Sequence, residues 1–204
     1  KLNSFLEKYK IKQIIEENIS DPSDSKSMLT HFAMRSFCSL LDYVCPIWEL
    51  QELKDMSKWC LNIFLNQTDR FISLPLLMQA FCTMYSQLVI FGWHVSKEFQ
   101  EFISPMQSED FWENLTKGPA ANWCCQIRLY TGIVEKMEFI HNLETAQVKT
   151  YKEDPLFDCF DFAVKTLFII LNQQLPKQYT EEDVFSLIEY SLQLLEASLS
   201  FDYD

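Results

Sequence analysis

The chain has 204 residues, enough for one domain that buries most of its apolar surface in a core. A hydrophobic fraction of 48% with seventeen phenylalanines excludes intrinsic disorder, and only three glycines, Gly92, Gly118 and Gly132, exclude the glycine-rich loops that cradle phosphates. Acidic residues outnumber basic ones by 29 to 17, a net charge of −12, so direct nucleic-acid binding is not expected and a basic partner is favoured.

Apolar side chains recur at steps of three and four nearly throughout, the period of an amphipathic helix. The spacing predicts helices over 3–17, 27–44, 48–66, 74–93, 108–116, 119–147, 155–173 and 180–200, with a short turn near 96–103. In the first, Leu2, Phe5, Leu6 and Tyr9 fall out of phase with Ile11, Ile14 and Ile15. Lys8, Lys10 and Lys12, the densest basic run, read as a solvated face. The loop Asp21-Pro22-Ser23-Asp24-Ser25 precedes a stripe of Leu29, Phe32, Ala33, Phe37, Leu40, Leu41 and Val44. A second stripe runs Leu50, Leu53, Met56, Cys60, Ile63 and Phe64.

Residues 71–96 hold no Asp, Glu, Lys or Arg, which is long enough for a bilayer crossing at ~20 residues. Pro75, Gln79, Thr83, Ser86 and Gln87 interrupt the stretch, and no cluster of Lys and Arg flanks it. It is therefore read as a central core helix and not as a membrane span. Further stripes follow: Trp123, Ile127, Tyr130, Val134, Met137; then Phe157, Phe160, Val164, Leu167, Phe168, Leu171; then Phe185, Ile188, Leu192, Leu195, Leu199. On this reading the stripes hold the fold together.

Pro75, Pro119 and Pro155 mark first helical turns, where a missing N–H costs nothing. Asp154, Ser108 and Thr180 stand where helices want N-caps, with acids following the last two. No period-2 alternation and no Asn-Gly or Asp-Gly turn is present. The expected fold is all-α: about eight antiparallel helices in one domain spanning 1–204, as a bundle or a short α-solenoid. The chain begins at Lys1 rather than a methionine, so a fragment of a larger protein is expected.

Asp154, Asp158 and Asp161 lie at i, i+4 and i+7, one helical face of carboxylates of the kind helical Mg²⁺ enzymes use. They need a facing carboxylate helix, and Glu181, Glu182 and Asp183 are explained as a helix start. His31, His94 and His141 have no His neighbour at helical spacing, and Cys124-Cys125 lacks the C-x-x-C spacing of a zinc or redox pair. No cofactor, metal site or catalytic residue is expected.

An odd seven cysteines, mostly inside apolar stripes, read as thiols of a reducing compartment, nucleus or cytoplasm, despite sequons at Asn18, Asn66 and Asn114. The remaining irregularity is aromatic: Phe111 and Trp112 on a short helix, Trp93 ending the central helix, and Trp48 at a helix entrance. These are the candidate partner-binding residues, since rigid aromatics dominate interface hot spots. The expected role is a non-catalytic protein–protein interaction or scaffolding module. The alternatives are a metal-dependent helical enzyme and a membrane-associated helical protein.

Overall fold

The structure, a computed structural model, describes residues 10–44, 49–105, 108–138 and 145–200. Those residues are helical with no strand among them, so the fold is all-α. The chain divides into two compact units, Lys1–Phe99 and Gln100–Asp204.

The first unit holds α1 (Ile11–Asn18), α2 (Asp24–Val44), α3 (Leu50–Asn66), α4 (Thr68–Ser73), α5 (Pro75–Val95) and a 3₁₀ turn (Lys97–Phe99). Helix α1 is shorter than the 3–17 expected. Lys10 sits at φ 51°, a left-handed turn that no continuous α-helix passes through. That residue stands where the apolar phase of the sequence changes. Residues 3–9 lie outside the described residues. Lys12, from the basic run, places its ammonium 5.1 Å from the centroid of Trp59, whose indole N–H donates to Glu16 at 2.7 Å.

Helix α5 is the centre of this unit and packs against α2, α3, α4 and the 3₁₀ turn. Pro75 opens it, as proposed from its missing N–H. Its apolar window is long enough to cross a membrane, and 72% of that window is buried inside the protein. Phe81 stacks on Phe64 at 4.5 Å between centroids, and Phe71 tilts against both. Such aromatic packing contributes area burial plus about 0.5–1.5 kcal/mol per pair. At its end Gly92 makes room for another ring: a Cβ there would lie 2.2 Å from the Phe99 side chain.

The second unit holds α6 (Gln100–Ile103), α7 (Glu109–Lys117), α8 (Ala120–Glu138), α9 (Thr145–Glu153), α10 (Pro155–Leu171) and α11 (Glu181–Ser200). Helix α8 carries the most deeply buried stripe, with Trp123, Ile127, Tyr130, Val134 and Met137 all inside. It packs against α11 and α10, and α10 packs against α11. The buried Trp123 indole donates to the Thr166 hydroxyl at 3.1 Å, and Thr166 donates on to the Phe162 carbonyl at 2.9 Å. A buried indole N–H thus keeps its partner, as it must. Arg128 of α8 donates to Gln193 of α11 at 2.7 Å and lies 5.5 Å from the Tyr190 ring.

In α10 and α11 the stripes expected to hold the fold together face the other way. Phe157, Val164, Phe168 and Leu171 are exposed, as are Phe185, Leu192 and Leu199. The buried faces are instead Leu156, Cys159, Phe162, Ala163 and Thr166 on α10, and Leu187, Ser191, Leu194 and Ser198 on α11. The buried faces mix small side chains with large ones, Leu156 and Phe162 on α10 and Leu187 and Leu194 on α11, and these are the faces that meet α8 and each other.

Candidate functional site

The aromatics singled out from sequence fall in different surroundings. Trp93 is 4% exposed and belongs to the core of the first unit. Trp48 lies outside the described residues. Phe111 and Trp112 come together on α7 and are half-buried. Both rings lean on Phe162, at 5.8 and 5.4 Å, and Trp112 also meets Trp123 edge-on at 6.2 Å. They dock the nine-residue α7, too short to hold alone, onto the second unit. The Ser108 hydroxyl caps that helix, accepting from the Phe111 N–H at 3.2 Å.

The aspartates of α10 are drawn into separate contacts. Asp158 accepts from the Ser104 hydroxyl, and Asp161 pairs with Lys165 at 2.7 Å. Asp154 precedes the helix but its side chain makes no cap bond, contrary to expectation; Pro155 starts α10 without one. Among the described residues no three His, Cys, Asp or Glu side chains gather as metal ligands would. Burial raises the thiols of Cys60 and Cys159 far above the ordinary range, and that of Cys124 to about 12, with the Asp183 charge adding to the last. A thiol held protonated is a packing group, not a nucleophile.

Among the described residues the fold leaves exposed Met28, Leu29 and Phe32 of α2, and, more extensively, the outer face of the α10–α11 hairpin. Phe157, Val164 and Leu171 recur every seven residues, joined by Phe168; Phe185, Leu192 and Leu199 recur every seven on the partner helix. Phe168 is 62% exposed, Phe185 67% and Leu171 80%. A seven-residue period keeps side chains on one slowly drifting stripe. Two such stripes side by side form one contiguous apolar surface, which soluble chains rarely leave bare.

An acid stands three residues before most of these side chains: Asp154 before Phe157, Asp161 before Val164, Glu182 before Phe185, Glu189 before Leu192 and Glu196 before Leu199. Positions three apart are surface neighbours on a helix, so each apolar ladder runs beside an acidic one. The half-buried Phe160, Leu167, Ile188 and Leu195 lie on the opposite flank of the ladders. The acids therefore rim the hairpin rather than line its seam. Residues 154–200 carry eight acids against Lys165 and Lys177, a net −6. Lys165 is itself occupied, by Asp161 and by the Trp112 ring 6.0 Å away.

Local chemistry holds the hairpin in place. At the end of α10 the Gln174 and Gln173 N–H groups return to the Ile169 and Ile170 carbonyls, both at 3.0 Å, with Gln173 left-handed at φ 56°. That is the Schellman stop, made here without glycine. Thr180 and Asp183 cap α11 reciprocally: the Asp183 N–H donates to Thr180 at 3.1 Å and the Thr180 N–H donates to Asp183 at 2.8 Å. Between them Tyr179 reaches back and donates its hydroxyl to the Gly118 carbonyl at 2.9 Å.

Apolar periodicity alone points both stripes inward. The signal for the outward face is the acid three residues ahead of five of the seven apolar positions, which marks a face bordering solvent. Comparison with protein-family models, with curated proteins and with solved structures gives no match.

Proposed function

We propose that the chain is a non-catalytic interaction module that docks another polypeptide on the exposed face of the α10–α11 hairpin. One observation carries this reading: Phe157, Val164, Phe168, Leu171, Phe185, Leu192 and Leu199, all exposed, share one surface of two packed helices. Water contact with so much clustered apolar area is unfavourable by about 25 cal/mol per Å², and a docked partner removes it. The six described cysteines, all buried and in no disulfide, suit an intracellular, reducing compartment.

The test is affinity purification of the folded chain beside a Phe168→Ser, Leu192→Ser double variant and a Phe111→Ala, Trp112→Ala double variant. The hairpin variant loses bound polypeptides and keeps its helical circular dichroism. If instead it retains them all while the α7 variant loses them, the docking surface lies on α7 and the hairpin reading falls.

A further inference from the structure

Resting on that reading, we infer that the occupant of the hairpin face is a basic amphipathic helix, apolar every seventh residue and flanked by lysine or arginine. The apolar ladders fix the shape of the partner. Side chains recurring at seven match only an element with the same period, and a helix lying along the groove between two helices supplies it. Its anchors enter between Phe157, Val164 and Leu171 on one side and Phe185, Leu192 and Leu199 on the other, all exposed.

The charge of the partner follows from the rim. Asp154, Glu182, Glu189 and Glu196 are exposed, and α11 has no basic residue anywhere in its twenty. A helix seated between the acidic rows brings its own flanking side chains within reach of them, so cations are attracted and anions repelled. A second copy of this chain is the obvious rival occupant for an apolar face. It would set two surfaces of net −6 against each other, glutamate row facing glutamate row. The anionic surface of a membrane meets the same repulsion.

The experiment uses the whole chain and three synthetic peptides of about 20 residues, one helix length of ~30 Å. All three carry the same leucine ladder at seven-residue spacing; their flanks are lysine, glutamine or glutamate. Binding is read by fluorescence anisotropy of the labelled peptide at low and high salt, and sedimentation velocity reports the oligomeric state of the chain alone.

The lysine-flanked peptide is expected to bind at least about tenfold tighter than the glutamine-flanked one at low salt, and that advantage shrinks as salt screens the rim. The triple variant Glu182→Gln, Glu189→Gln, Glu196→Gln removes the advantage while leaving glutamine-peptide binding in place. Phe168→Ser with Leu192→Ser abolishes binding of every peptide; both positions are exposed, so unchanged thermal melts verify folding.

Equal binding of the lysine and glutamine peptides, still lost in Phe168→Ser with Leu192→Ser, overturns the basic partner and spares the docking face. Binding that ignores Phe168 and Leu192 overturns both. A concentration-dependent dimer dissolved by the same two substitutions gives the face to a second copy and overturns the inference.

Discussion

Helices α5 and α10 begin almost alike, Pro75-Leu76-Leu77 and Pro155-Leu156-Phe157, and both are apolar around most of their circumference. The first is covered by α2, α3, α4 and the 3₁₀ turn, leaving large apolar side chains exposed only near its ends, at Leu76 and Val95. The second is covered by α8, α9 and α11 and leaves a full stripe uncovered from Phe157 to Leu171. Hydrophobicity around a helix therefore reports how many neighbours it wants, and not whether this chain supplies them.

Replacing one covered and one bare aromatic on α10 sharpens that contrast most. Phe162, fully buried among Phe111, Trp112 and Tyr130, should lose about 3–5 kcal/mol on truncation to Ala through the cavity left behind. Phe168→Ala, six residues along, should change stability by no more than about 0.5 kcal/mol. Urea denaturation midpoints of the two variants measure the difference; equal losses would mean that the bare stripe is part of the core after all.

The covered side of the comparison can be broken from within α5. Alanine is the better helix former, yet Gly92→Ala would press a methyl into the fully buried Phe99 ring. Overpacking of this kind costs about 1–3 kcal/mol, seen as a lower denaturation midpoint. A stabilised Gly92→Ala variant would show that Phe99 yields freely and that α5 is less tightly enclosed than described.

The smallest effect tests what steadies the bare hairpin. Tyr179→Phe removes the hydroxyl that reaches the Gly118 carbonyl, at a cost of about 1 kcal/mol. Burial first, then the charges of Cys124 and Asp183, raise the Tyr179 hydroxyl from 10.0 to about 12. The folded chain thus holds this proton more tightly than the unfolded one. Its contribution is complete below pH 10 and disappears as pH climbs through 12. Melting temperatures of the parent and Tyr179→Phe should accordingly differ at pH 8 and converge at alkaline pH.

The all-α fold was legible because its punctuation is chemical and local: Pro75 and Pro155 at first turns, Ser108 and Thr180 with their acids at helix starts. The burial of α5 was legible too, since a run without charge leaves only the narrow polar side of Gln79, Thr83 and Gln87 for water. The division of α3 from α4 was not, because only Gln67 stands between them and neither glycine nor proline marks the place. Nor was the orientation of α10 and α11. Cys159, Ala163, Ser191 and Ser198 look neutral beside phenylalanine and leucine in any hydrophobicity pattern, yet they are fully buried. Which face goes inside depends on packing against α8, from elsewhere in the chain, information that periodicity does not carry.

The hairpin has one more property, which concerns direction. Each ladder begins with phenylalanine, Phe157 or Phe185, and ends with leucine, Leu171 or Leu199. Because the helices run antiparallel, the aromatic ends fall at opposite extremities, and the face nearly repeats itself under a half-turn about its normal. An elongated ligand lying along it would meet similar side chains whichever way its own termini point. Val164 against Leu192, the extra Phe168 and the neighbouring Lys165 spoil this dyad, and they are the positions where a preference for one polarity would have to be written.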